Sequence, residues 1–490
     1  MGSPAARQRQ PLGHVLHCRS GKSVLTGGMT MPGFIRSSMP AMLFMVALVP
    51  ATVSGQVTPL DFRAAYERLG AQNEQLGAVR MGVDQAQSRQ RAADAARLPS
   101  FEIVGSVTRL DSDVEIDLGG VRRRIDETLG ITLPPNLLPN GLPIQDRNFG
   151  NLALQAVQPV YLGGRINAAR EAARAGLAAD TAVVDRTFAD LVVALVKQYF
   201  GQSVAADALA VRRQSVESLR QLAFNARRLE EEGEISRADR LRADVALIEA
   251  EGELASARER LTLAQQALTT LLSERRVVEP LTGIPAVPAP SDAGEWRLRA
   301  VESNPSLIEL GARLDQAKAA LRAEQGTLRP ELLLLGRREL YTEGLSEIRP
   351  EWSLSLVANW RFADGGVRRA RVSEAQARRT EIEFLQNALT RQVELLVDQQ
   401  IEAQHTALER HRTFGAATAL ADESLRVQRR AFEEGFATSL DVIEAELARA
   451  RVALGELLAR YEAWVATAAI YAASGQVAAL VDRIEESHDD

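Results

Sequence analysis

The chain of 490 residues carries 64 acidic against 58 basic residues, for a formal net charge of −6, and only 5% of it is aromatic. That balance supplies no basic stripe for nucleic acid. Few aromatics beside abundant Ala, Leu, Glu and Arg favour long helices and coiled coils over a compact aromatic core.

The N-terminal segment reads as a secretory signal peptide, residues 1–55, with an over-extended start before Met29 or Met31. Arg36 precedes the apolar run Ala41 to Val49, and Val53-Ser54-Gly55 offers small residues before Gln56. The run is too short to span a bilayer. Cys18, the only cysteine, lies upstream of it. The mature chain is therefore expected to hold no thiol, disulfide or lipidated cysteine. Gly21-Lys22-Ser23 resembles the end of a phosphate-binding loop, but Leu16 stands where that loop needs glycine.

A helical stretch is expected from about Pro59 to Ala96, ended by Leu98-Pro99, since proline lacks a donor and restricts its predecessor. Alternation follows, with Phe101, Ile103 and Val107 against Glu102, Ser106 and Thr108, the period of a strand. A partner strand is expected over Asn151 to Val160, and Asp111 to Asn148 between them reads as a long loop. From Gly163-Gly164 a helix runs over Arg165 to Glu230, which at 1.5 Å per residue is about 100 Å. The return helix shows heptads, with Leu247, Leu254, Leu261 and Leu268 accompanied by Ala250, Ala257, Ala264 and Leu271. A proline-rich linker, residues 279–295, leads to a second set of the same elements. Strands are expected over Glu331 to Tyr341 and Glu351 to Phe362, a helix over Val367 to Phe432, and a return helix along Leu440, Leu447, Leu454 and Tyr461 with Ile443, Ala450, Leu457 and Trp464. Leu440 and Ile443 are placed on its packed seam.

The two sets are copies. Glu231-Glu232-Gly233, Ser236, Asp239 and Ala243 return as Glu433-Glu434-Gly435, Thr438, Asp441 and Ala445, a shift of 202 positions (233 to 435). Asn73 and Pro99 return as Asn304 and Pro330, a shift of 231 (99 to 330), so the first copy carries 29 additional residues between Pro99 and Gly163. The organisation expected is a first repeat over 56–278, a second over 296–476 and a C-terminal tail over 477–490. Function is then confined to the repeated turn and to the one place where the copies differ.

Four strands per chain form no closed sheet, and a two-stranded hairpin is marginal alone in water. Strands apolar on one face and ending in tryptophans (Trp352, Trp360) are those of an outer-membrane barrel. Open edges are not tolerated in lipid, so several chains are needed to close one. No nucleophile–base pairing, metal-ligand cluster or complete phosphate loop is present, and His405 and His411 lie six apart in a polar helix. An enzyme is not expected, nor any cofactor.

These features together, with Arg430 to Gly435 followed by Ser439 to Ala445, its echo Arg228 to Ala243, and Gln158-Pro159-Val160-Tyr161-Leu162-Gly163-Gly164, resemble the TolC family of outer-membrane efflux channels. The resemblance covers Gln56 to about Gln476. It implies a mainly α duplicated fold with a transmembrane β-barrel: a homotrimer whose twelve strands lie in outer-membrane lipid and whose twelve helices form an α-barrel across the periplasm. It implies a passive conduit of a tripartite efflux system, with a periplasmic adaptor (membrane fusion protein) and an inner-membrane pump of the RND or ABC type as partners. Type I protein secretion is the alternative within the class, and a periplasmic coiled-coil adaptor or scaffold lies outside it.

The resemblance also assigns sites. An inward acidic ring falls on Asp441 and Glu444, and a latch of the closed entrance on Asp239. The turns Gly233-Glu234-Ile235-Ser236 and Gly435-Phe436-Ala437-Thr438 fall where family members meet the adaptor. Like-charge repulsion in such a ring is expected to raise carboxyl pKa values. The chain departs from the family pattern at Ala437, where the latch has arginine, and at Phe432, where it has tyrosine.

Overall fold

The computed structural model describes residues 58–489 apart from 131–133, 135, 139–140, 287–288, 290 and 344–349. The expected signal segment, with Cys18 and the run Ala41 to Val49, lies outside the described residues. The first half contains β1 (Thr58–Leu60), α1 (Phe62–Gln72), α2 (Glu74–Ala95), β2 (Ser100–Arg109), β3 (Val114–Asp117), α3 (Gly119–Leu129), β4 (Gly141–Gln145), β5 (Asn148–Leu162), α4 (Arg165–Glu231) and α5 (Arg237–Leu271). The second contains β6 (Val278–Pro280), α6 (Ala293–Ser303), α7 (Pro305–Gly326), β7 (Glu331–Glu343), β8 (Trp352–Asn359), α8 (Val367–Glu433), α9 (Ser439–Ala473) and α10 (Val477–Asp489).

The duplication is visible element by element. Helices α1 and α6 both have 11 residues, α2 and α7 22, α4 and α8 67, and α5 and α9 35. The expected helix over Pro59 to Ala96 is corrected to a short strand and two helices broken at Asn73. The break has a cause. Asn73 accepts from Leu76 N at the start of α2 and donates its side-chain amide to Leu271 O at the end of α5. Asn304 does the same for α7, accepting from Ser306 and Leu307 N and donating to Ala473 O. Each asparagine thus caps one helix and seats it on the C-terminus of another.

Strands β2, β5, β7 and β8 form one antiparallel sheet in the order β2-β5-β7-β8. Its register makes two faces. Phe101 and Ile103 stand opposite Ala156 and Leu154 on one, Leu334 opposite Leu356, and Gly336 opposite Leu354. On the other, Ser106 donates to Asn151 at 2.6 Å and Arg337 pairs with Glu339 at 2.7 Å. The outward apolar groups, among them Phe101, Ile103, Val107, Leu354 and Leu356, are exposed in the single chain.

The segment Asp111 to Asn148, expected as a loop, is corrected to an antiparallel β3–β4 ribbon joined through α3. Val114 and Ile116 alternate with Glu115 and Asp117 there, a strand pattern too short and too charged to stand out. A third sheet pairs β1 with β6 in parallel, and β6 straddles the expected boundary between the first repeat and the linker. The expected C-terminal tail is helix α10, whose Leu480, Val481 and Ile484 are buried with Phe62, Tyr199, Phe200 and Trp464 in the principal core. Tyr199 fixes this region, donating from Oη to Leu60 O at 2.7 Å and accepting from Thr282 N at 3.0 Å.

Candidate functional site

Helix α4 ends in a left-handed turn at Gly233, φ 76°, where Glu234 N reaches back to Leu229 O at 2.8 Å. Helix α8 ends identically at Gly435, φ 78°, with Phe436 N donating to Ala431 O at 2.7 Å. Glycine takes this conformation without a Cβ penalty, and the backward bond satisfies carbonyls that the helix end leaves open. The next helices are then capped. Ser236 Oγ accepts from Asp239 N at 3.1 Å and donates to Asp239 Oδ2 at 2.6 Å. Thr438 and Asp441 form a full capping box, in which Asp441 Oδ2 accepts from Thr438 N at 2.7 Å and from Thr438 Oγ1 at 2.6 Å.

Below the turns, α4, α5, α8 and α9 share a core of Leu222, Ala226, Leu229, Ala243, Leu425, Phe432, Val442 and Ile443. Ile235 and Ala437 pack against it. Phe432 is therefore a core ring here, and neither it nor the methyl of Ala437 carries a side-chain hydrogen-bonding group. Phe436 is 83% exposed at the apex, with Gly233, Glu234, Ser236, Gly435 and Thr438 also on the surface.

Asp239 is brought to the second turn. Its backbone oxygen accepts from Ser439 Oγ at 2.9 Å, and its Oδ1 accepts from Arg242 at 3.2 Å. Asp441 and Glu444 share the first turns of α9, but the chain holds them differently. Glu444 is exposed and makes no ion pair among the described residues. Within the single chain the Asp441 carboxyl is held below its ordinary value by the hydrogen bonds from Thr438. A lowered folded pKa contributes stability that is present above the unfolded value and lost as pH falls through the folded one. The cap is accordingly intact at neutral pH, and Thr438→Val is expected to raise the Asp441 pKa, measured by carbon NMR of the labelled carboxyl.

Leu440, expected on the packed seam, is 43% exposed, whereas Ile443 is buried. Helix α9 buries the stripe Ser439, Val442, Ile443, Glu446 and Ala450. Heptad spacing locates a seven-residue repeat, but neighbouring stripes share it, and the contacts with α4 and α8 select one. That stripe contains a polar cluster with no counterpart in the expectations. Glu446, fully buried, accepts from Ser218 Oγ at 2.6 Å and pairs with Arg429 at 3.2 Å and Arg449 at 3.5 Å, and Arg449 also reaches Asp422 at 2.9 Å. The sequence carried one sign of it, a glutamate three residues after Ile443 and four before Ala450, on the helical face those residues bury.

At the sheet end, Trp352 and Trp360 bracket β8 and are 69% and 60% exposed. Trp360 donates Nε1–H to Leu328 O at 3.2 Å and lies edge-on to Phe362. Eight residues of strand separate the two indoles by roughly 26 Å along β8, or about 20 Å of height at the usual tilt of barrel strands, comparable with the apolar band of an outer-membrane barrel. Among the described residues no helix is long and apolar enough to cross a membrane.

The family model for outer membrane efflux proteins matches residues 65–274 and 296–476. The chain belongs to the outer membrane efflux protein family. It is a TolC-like efflux channel of the outer membrane, with its sheet in that membrane and its helical tunnel in the periplasm, and it is not an enzyme. Its fold is shared by the outer-membrane channel OprN (TM-score 0.69, 18% identity, 85% of this chain and 90% of that one). It is shared likewise by the outer membrane protein VceC of Vibrio cholerae (0.69, 16%, 84% and 96%) and by the open-state MtrE channel of Neisseria gonorrhoeae (0.68, 18%, 84% and 88%). Comparison with curated proteins gives no match.

Proposed function

We propose that three copies of this efflux channel close one pore and serve as the passive outer conduit of a tripartite pump. The observation that carries the reading is the four-stranded sheet, whose edge strands β2 and β8 each have one neighbour and whose apolar face lies open. Unpaired edges are not stable in lipid, and twelve strands from three chains remove them. Exposed apolar side chains along the helices, including Val245 and Ile248 on α5 and Phe384 and Leu420 on α8, supply seams between protomers.

The turns at Gly233 to Ser236 and Gly435 to Thr438 form the end that a periplasmic adaptor engages, with Phe436 as the exposed anchor, and the adaptor couples the conduit to an inner-membrane pump of the RND or ABC type. Threefold symmetry gathers up to six carboxylates from Asp441 and Glu444 at the entrance, with Asp239 beside them, and such a ring favours cations. Asp441→Ala/Glu444→Ala is expected to weaken cation selectivity in planar-bilayer recordings and to reduce block by multivalent cations added on the periplasmic side. Unchanged selectivity and block would make them surface charges that only cap a helix.

The β3–α3–β4 insertion lies at the end of β2 and β5 remote from the long helices, and faces the cell exterior. Arg109 still pairs with Asn148 below it. Deleting Asp117 to Leu142 is expected to leave the mass of the detergent-solubilised assembly that of three chains, and loss of assembly would show that the insertion is structural.

A further inference from the structure

We propose that the outward face of the sheet binds a phosphorylated glycolipid of the outer leaflet through Arg338 and Arg109. The reading rests on the orientation given above, with the β3–α3–β4 insertion at the cell exterior. Strand register places both arginines on the apolar face. Arg338 stands opposite Leu154 of β5 and Trp352 of β8, and Leu154 stands opposite Ile103 of β2. Arg109 shares the parity of Ile103 and Val107 and stands opposite Asn148. Both arginines are exposed, and neither makes a hydrogen bond or ion pair from its side chain among the described residues. Arg337, which turns to the other face, is neutralised by Glu339 at 2.7 Å. Within the strands the apolar face carries one carboxylate, Glu343 opposite Gly150, and it accepts from Tyr341 Oη at 2.7 Å. Toward the helical end the same face presents Phe101, Leu332, Leu334 and Leu356 and no charge.

The chemistry of this face selects the ligand. An arginine facing lipid is costly at the middle of a bilayer and tolerated near its surface, where a headgroup meets it. Arg338 lies in the row of Trp352, at the level of the outer aromatic girdle. A planar guanidinium without a protein carboxylate matches the oxygens of a phosphate, which it holds bidentately. The neighbouring Leu154 and Leu354 call for acyl chains attached to that phosphate. Depth then separates a glycolipid from a glycerophospholipid. Along β2, Arg109 is six residues beyond Ile103, the residue in the row of Arg338. That is roughly 20 Å along the strand, and on the order of 10 to 20 Å in height once strand tilt is counted. One layer of phosphodiesters is thinner than this. A glycolipid carries acidic sugars outward from its phosphates and can meet both arginines.

Native mass spectrometry of the full-length assembly in detergent reads the binding, with lipid A carrying its acidic inner-core sugars as the probe. Saturable adducts of that mass are expected, bound more tightly than phosphatidylglycerol. Affinity for the probe should fall about tenfold or more in Arg338→Gln, the range for losing a hydrogen bond between charged groups. Arg109→Gln should weaken the probe but not lipid A stripped of the sugars. Arg361→Gln, beyond the far end of β8, should alter neither. Phosphatidylglycerol bound as tightly as the probe, or unchanged affinity in Arg338→Gln, would overturn the proposal. Should Arg338→Gln fail to assemble, Arg338→Lys keeps the charge without the fork, and unchanged affinity in both Arg338→Lys and Arg109→Gln would overturn it equally. The same spectrum gives the mass of the bare assembly. A three-chain particle without adducts therefore defeats this inference alone and leaves the channel reading standing.

Discussion

Gly163→Ala is expected to destabilise the protein severely, whereas Gly365→Ala, the same change in the other repeat, is expected to be mild. Both glycines have φ +66° at the turn from strand to long helix. A side chain in that region costs roughly 1–2 kcal/mol wherever it occurs. At Gly365 the space is open, so this strain is the whole cost. At Gly163 an added Cβ collides with the backbone oxygen of Gly326 and presses on Arg329 Cβ, because the end of α7 packs directly on the turn. Backbone atoms cannot yield as a flexible side chain does, which takes the loss to about 4 kcal/mol or more. Thermal unfolding followed by helical circular dichroism should show a large drop for Gly163→Ala and a small one for Gly365→Ala. Equal effects would contradict the packing of the β5–α4 turn against α7.

Asn304→Ala is expected to cost about 2–4 kcal/mol, through loss of a helix cap and an acceptor left unpaired in the interior. The side chain is buried and makes three hydrogen bonds, two to the start of α7 and one to Ala473 O at the end of α9. Asn304→Asp keeps the accepting oxygens but loses the donor to Ala473. It should retain the cap and still fall short of wild type. Asn73→Ala removes the equivalent bonds at a more exposed site and should cost less. Urea denaturation of the three variants checks the order. Asn73→Ala as damaging as Asn304→Ala would show that burial of the junction is not what gives the contact its strength.

The long helices were legible because glycine fixes their ends. Arg165 to Glu230 was expected and Arg165–Glu231 is observed, since Gly164 and Gly233 both adopt positive φ that ends or begins a helix. The apolar alternation of β2 and β8 was equally legible, being long enough for period two to stand clear of chance. Short elements were not. β1 and β6 have three residues each and exist because they pair with each other across the duplication, a contact no local pattern encodes. The break at Asn73 was hidden because helical periodicity resumes at once, although the same asparagine had marked the repeat. At the tip, the recurrence of Gly233 and Ser236 as Gly435 and Thr438 marked the turn, and the structure adds that Thr438 and Asp441 form a capping box. The buried Glu446 cluster was obscured because heptad reading favours Leu440 and Leu447 over the adjacent stripe. Which stripe is buried depends on the angle at which α9 meets α4 and α8, and that angle is set by the whole assembly of helices.

The mass of the assembly extracted from outer membranes in mild detergent decides whether the sheets of separate chains close one barrel. Three chains per particle are expected, with the sheets of all three paired edge to edge and the protein absent from the soluble periplasmic fraction. A stable water-soluble monomer in the periplasm would contradict it, because the open edges of β2 and β8 and the exposed face of Trp352, Leu354 and Leu356 would then have no partner to explain them.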